Sequence, residues 1–167
     1  LGGEVLYRPF NKRYAIGFTG HYLKQREYKQ LLGFRDYKVF SGHLNTYFKL
    51  PKGVLLQVHA GRYLAKDAGI TLDISRRFKT GFRLGVFATK TNISREEFGE
   101  GSFNKGFYFS IPLDLYFNDY RSGNIGFSMS PLTRDGGAML YNHNSLFGIF
   151  GETNKDSIDR DINDLLK

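Results

Sequence analysis

The stretch GFYFSIPLDLYF, residues 106–117, decides how the chain folds. Phe107, Phe109, Ile111 and Leu113 fall on one side of a two-residue alternation; Tyr108, Ser110, Pro112 and Asp114 fall on the other. Successive side chains of a strand point to opposite faces, so the stretch reads as a strand with one greasy and one polar face. The deciding question is which medium the greasy face meets, a protein core or lipid.

The alternation recurs along the chain. Tyr14, Ile16, Phe18 and Tyr22 oppose Ala15, Gly17, Thr19 and His21. Phe40, Leu44, Phe48 and Leu50 oppose Ser41, His43, Asn45 and Lys49, and Val54, Leu56, Val58 and Ala60 oppose Gln57, His59 and Gly61. Further runs start near Ile70, Phe82 and Asn124, and an opening strand lies near Glu4–Arg8. These make eight strands, with a ninth expected in SLFGIF (145–150). Pro51–Gly53 and Lys79–Gly81 have the length and the glycine of tight hairpin turns. They alternate with longer links such as NISREEFGEGSFNKG, as in an up-and-down meander with one trimmed and one elaborated rim.

Composition agrees with this. The 167 residues include 20 Gly, 16 Phe and 11 Tyr, a mixture suited to short strands and tight turns. No run of about 18 apolar residues exists to make a transmembrane helix. The negative mean hydropathy does not exclude a membrane barrel, which meets lipid with every second residue only. With no Cys, disulfides and thiolate sites are excluded. The net charge of +8 favours acidic partners, but no RNP-like aromatic motif accompanies it, so nucleic acid is not expected. Nor is there a P-loop, a dinucleotide fingerprint or a Ser-His-Asp ordering.

The polar face separates the two media. A small soluble barrel fills its interior with branched aliphatics, whereas a membrane barrel turns apolar residues outward and small or polar residues inward. Here the polar face is built from Gly, Ser, Ala and Thr with Gln, His, Asn and Arg. The apolar face carries aromatics near strand ends (Tyr22, Phe48, Tyr63, Phe78, Phe82, Phe107, Phe117), which suits an interfacial girdle. The expected fold is therefore all-β: an antiparallel up-and-down meander over residues 1–150, forming a transmembrane β-barrel or part of a larger barrel wall. A half-exposed soluble sandwich has the same alternation and stays the alternative. KDSIDRDINDLLK, with Ile158, Ile162, Leu165 and Leu166 at helical spacing, reads as a short amphipathic tail helix within 151–167.

Four stretches are more specific than alternation: GGEVLYRPFNKRYAIG, GHLNTYFKLPKGVLLQVHAGRYLAKDAGITLDISRRF, EEFGEGSFNKGFYFSIPLDL and PLTRDGGAML. Together they resemble the C-terminal part of the YjbH/GfcD family, outer-membrane β-barrel proteins of exopolysaccharide and group 4 capsule systems. The resemblance runs from about Gly2 to Leu140. It implies a Gram-negative outer-membrane location and a role in exporting or assembling exopolysaccharide; it does not imply an enzyme, and the role is expected to be non-enzymatic. It also implies longer full-length members with a signal peptide of lipoprotein type. LGGEVLYRPF reads instead as a strand entering a turn, so the chain is expected to be a C-terminal piece. The expected partners are outer-membrane lipid, exopolysaccharide (for whose acidic forms the positive charge is suited) and other proteins of the secretion system. No cofactor or metal is expected.

A polymer conduit needs a wet interior that binds sugars weakly and repeatedly. His21, His43, Asn45, Gln57, His59, Asp73, Arg77 and Arg83 are the candidate lumen-facing residues, and read more simply as a structural hydrogen-bond network of the lumen. In the loop SREEFGEGSFNKG, Phe98 and Phe103 are candidates for a rim anchor or a constriction. Glu96, Glu97 and Glu100 would suit glycoside hydrolysis only if held about 5–10 Å apart, and read more simply as solvated loop carboxylates. Arg134 and Asp135 precede two glycines and read as a tight turn at a rim. Two other functional readings follow from the same residues: a soluble β-domain that binds carbohydrate, and a barrel enzyme acting on glycan or lipid through the Glu96–Glu100 loop.

Overall fold

The alternating runs become one antiparallel sheet of eight strands in a computed structural model, paired in strict sequence order. The strands are β1 (Gly2–Tyr7), β2 (Tyr14–Arg26), β3 (Phe34–Leu50), β4 (Val54–Arg62), β5 (Ala68–Arg77), β6 (Arg83–Thr91), β7 (Asn104–Pro112) and β8 (Asn124–Met129). The structure describes residues 1–26, 34–94, 103–113, 116, 123–131, 136–140, 142 and 144–152. The sheet is not closed, because β1 and β8 are each paired on one side only. Among the described residues no helix is long and apolar enough to cross a membrane, which says nothing about crossing by strands.

The turns form where sequence chemistry demands. Lys52 (φ 62°) and Gly53 (φ 74°) carry positive φ between β3 and β4, and Gly81 (φ 81°) does so between β5 and β6. Glycine takes that conformation without a Cβ penalty. β2 and β3 continue beyond their neighbours. β3 meets β4 only from Gly42 onward, so residues 34–41 pair with β2 alone. At about 3.3 Å per residue this arm projects roughly 25 Å past β4. The hydroxyl of Tyr37 donates to the Leu64 carbonyl at 2.5 Å, tying the arm to the 63–67 loop.

SLFGIF is not a ninth strand. Leu146–Glu152 form a short helix, α1, in which the Ile149 amide donates to the Ser145 carbonyl and the Gly148 amide to Ser145 Oγ. A short apolar run has no decisive period, and the Ser145 cap settles it as helix. The tail-helix residues beyond 152 lie outside the described residues.

Polarity across the sheet is inverted relative to a soluble protein. Leu72 and Ile74 are 47% and 49% exposed, whereas Thr71 and Ser75 beside them are 5% and 3% exposed. Phe18, Phe40, Leu44, Val86 and Phe127 are likewise exposed, and Ser41, His43, Asn45 and Thr89 are buried. Glycine permits close strand approach on the inner side: a Cβ at Gly61 would overlap the Gly42 carbonyl oxygen, whereas one at Gly3 would meet nothing within 4 Å. Gly61→Val is expected to destabilise the sheet by about 1–3 kcal/mol, the usual penalty of overpacking. Gly3→Ala is expected to be nearly neutral. Urea unfolding of the two variants, each refolded as the wild type is, measures the contrast.

Candidate functional site: the polar face

Strand parity carries the expected lumen residues to one face. His21, His43 and His59 come from β2, β3 and β4, where His21 lies opposite Ser41 and His59 opposite Asn45. His59 Nδ1 and Asn45 Oδ1 are 2.7 Å apart, and Asn45 Nδ2 donates to Thr19 Oγ1. Together with Glu4 and Tyr47 they line a cavity of about 100 Å³. Nearer the short turns a second group forms. Asp73 Oδ1 accepts from Gln57 Nε2 at 3.3 Å and from the Tyr108 hydroxyl at 2.9 Å. Arg77 and Arg83 lie opposite each other at that end of β5 and β6. The eight candidates therefore share a face but make two groups.

The remaining candidates fall differently. Phe103 is exposed just before β7, with Lys105 Nζ 4.9 Å over its ring, so it sits at the rim and does not narrow the interior. Glu96, Glu97, Phe98, Glu100, Arg134 and Asp135 lie outside the described residues. Among the described residues no group of three His, Cys, Asp or Glu side chains is placed to hold a metal ion.

Sequence reasoning missed what covers this face. Described residues of the stretch 136–150 (136–140, 142 and 144–150) lie over it between the 63–67 loop that precedes β5 and strand β1. The Gly137 amide donates to Asp67 Oδ2 at 2.8 Å, and the Leu64 amide donates to the Ala138 carbonyl. Phe147 stacks on Tyr47 with ring centroids 3.8 Å apart and planes within 5°. At the far end Glu4 Oε2 accepts from Asn142 Nδ2 and from the Leu146 amide, and Arg8 Nη1 donates to the Phe150 carbonyl. Carboxylates that receive amide hydrogens thus hold the segment at both ends.

Tyr63, expected in an outward aromatic girdle, is fully buried on the inner side. Its hydroxyl joins a chain with Thr71 and Thr89, each step 2.7 Å, and its ring meets His43 edge-on. Burial raises the phenol above its ordinary value and the nearby Asp67 carboxylate adds to this, while the bond to Thr71 pulls the other way. Tyr63 keeps the parity of Gln57, His59 and Gly61, which assigns it inward; the expectation of an aromatic girdle at strand ends, not the alternation, placed it outside. Tyr47 was legible, because it shares parity with His43 and Asn45. The covering segment had no local signal, as its partners lie some 70 to 142 residues away in sequence.

This architecture defines a class: an open antiparallel meander with an apolar outside and a polar, hydrogen-bonded inside spanned by its own C-terminal segment. Residues 1–152 match the family YjbH, described as "Exopolysaccharide biosynthesis protein YbjH". The chain belongs to that family. It is 44% identical over 144 residues to the "Uncharacterized lipoprotein YjbH" of Escherichia coli (strain K12), a match covering 83% of this chain and 21% of that protein. The chain thus spans about a fifth of the length of this relative. No solved structure matches.

Asp67→Ala removes the acceptor for the Gly137 amide. The expected loss is about 1.5–3 kcal/mol of local stability, the range for a hydrogen bond to a charged group. Hydrogen exchange checks it: amides of residues 136–140 should exchange faster, with those of β2 and β3 unchanged.

Proposed function

We propose that this segment is part of the wall of an outer-membrane β-barrel that takes part in exporting or assembling exopolysaccharide. The observation that carries the reading is the inversion of polarity: outward Phe18, Leu44, Leu72, Val86 and Phe127 are exposed while inward Ser41, Asn45, Thr71 and Thr89 are buried. In water so broad an apolar exterior is a liability, and in hydrocarbon it is what stability requires. Family membership supplies the link to exopolysaccharide. The lipoprotein name of the Escherichia coli relative fits a place in the Gram-negative envelope.

In this reading the segment has no catalytic task. Its inner face offers amide, imidazole and hydroxyl groups that already bond one another, leaving weak contacts suited to a passing or anchored sugar polymer. Other proteins of the secretion system supply polymer and direction.

The chain should aggregate without detergent and refold with detergent or lipid. A monodisperse monomer in plain buffer would instead make it a soluble carbohydrate-binding β-domain. Leu72→Arg sharpens the test. In a lipid-facing wall it should cost about 2–4 kcal/mol near the bilayer centre. On a water-facing surface the same change stays within about 0.5 kcal/mol. Urea titration of folded protein in lipid vesicles reads the difference.

A further inference from the structure

The outward face carries a second pattern beyond its apolar band. In β2 the outward series runs Phe18, Tyr22, Lys24, and in β3 Leu44, Phe40, Lys38. In β4 Ala60 is followed outward by Arg62, in β6 Ala88 by Lys90, and in β7 Phe107 is preceded by Lys105. All five cations are exposed, and all lie at the end of the sheet carrying the longer links. Each sits one outward position past an apolar residue of its strand, and in β3 the exposed Phe34 lies beyond Lys38.

Register makes this a band. Arg62 lies opposite Gly42, Lys90 opposite Ile70, and Lys105 opposite Ala88. Traced back to β3, those rows pass through Gly42, Leu44 and Thr46, while Lys38 stands further out. The cations therefore step along the hydrogen-bond rows from β3 to β7, and the edge of the apolar band steps with them. Strands of a membrane barrel tilt by about 35–45°, which turns such a diagonal into a level ring.

Two features show that the ring is not made for its own stability. Lys24 and Lys38 are directly opposed across β2 and β3, a like-charge pairing that costs free energy in a sheet. Asp36 is the single carboxylate at outward positions of the described strands, and among the described residues none of the five cations forms an ion pair. Lys24 Nζ stands 5.0 Å over the Phe34 ring and Lys105 over Phe103, so apolar stems lie along aromatics while the charged heads stay accessible. At the opposite end the outward wall holds Arg76, set 4.8 Å over Phe78, while Lys12, Lys52 and Lys79 lie in turns.

We infer that Lys24, Lys38, Arg62, Lys90 and Lys105 bind the phosphate groups of an anionic lipid in the leaflet at the long-link end. This rests on the barrel reading and adds to it a ligand and an orientation. An apolar band flanked by cations complements a molecule with acyl chains below and phosphates above, and a free sugar polymer has no use for the band. Positive groups near an anionic headgroup layer add attraction that salt screens.

The test uses the full-length polypeptide inserted in phosphatidylcholine vesicles containing either bis-phosphorylated or dephosphorylated lipid A. Protease protection reports insertion, and native mass spectrometry after extraction counts retained lipid. Wild type should insert in both and retain the phosphorylated lipid on the order of tenfold better, the preference fading at high salt. The combined variant K24Q/K38Q/R62Q/K90Q/K105Q should insert and lose the preference, and K12Q/K52Q/K79Q should keep it. If the five-site variant does not insert, the salt dependence of the wild type decides. Equal retention of both lipids, retention by the five-site variant, or displacement by a soluble acidic polysaccharide overturns the inference while leaving the barrel reading intact. No protection of wild type in either vesicle overturns both.

Discussion

Everything in this molecule depends on one constraint, the two-residue parity of its strands held in a single register. A shift of one residue in β5 would exchange Thr71, Asp73 and Ser75 for Ile70, Leu72 and Ile74 on the inner side. The inner side cannot accept that exchange. Thr71 Oγ1 bonds Thr89 Oγ1 across β5 and β6 and lies 2.7 Å from the Tyr63 hydroxyl, and Asp73 takes hydrogens from both Gln57 and Tyr108. Register is fixed here by polar groups that find partners across strands rather than by apolar residues excluded from water. Buried hydroxyls and carboxylates left unpaired cost about 1–3 kcal/mol each, so each such pair disfavours a slip.

The covering segment explains how an open sheet can bury one face. A polar interior needs polar filling, and the chain supplies it with its own backbone and side chains. Gly137 reaches Asp67 on one side, and Asn142 and Leu146 reach Glu4 on the other. Between them Phe147 lies flat on Tyr47 and contributes apolar contact that the wall itself turns outward. β8 lies beyond this span and is exposed on both faces. The part of the wall that is covered is thus the part the segment crosses.

Much of the wall was legible in sequence because parity is a local property. Phe107, Phe109 and Ile111 against Tyr108 and Ser110 announced β7, and the same logic set His21, His43 and His59 on one face. Turn chemistry located Pro51–Gly53 and Lys79–Gly81 for equally local reasons. What failed was non-local or short. SLFGIF contains no period that separates helix from strand, and a Ser145 cap decided it. Tyr63, by contrast, shares the parity of His59 and Gly61, and it was the expectation of aromatics at an outer rim that misplaced it. Glu4 read as one residue of an opening strand, and its role as an anchor depends on amides 138 and 142 positions away. The grouping of the polar residues into two clusters likewise required the register between strands, which the spacing along one strand does not contain.

The open edges sharpen the membrane reading. β1 and β8 each expose a row of backbone amides and carbonyls on their outer side. In water such edges are tolerated, but in hydrocarbon each unsatisfied group costs several kcal/mol, which is why spanning sheets are closed. A lipid-facing wall therefore cannot end at these strands. Either they curve to meet each other around the 136–150 segment, or further strands continue the wall on both sides. In the Escherichia coli relative, of which the chain spans about a fifth, the second arrangement would have polypeptide to draw on. It also accommodates the uncovered inner face of β8, since a polar face that continues into neighbouring strands needs no cover of its own at the junction.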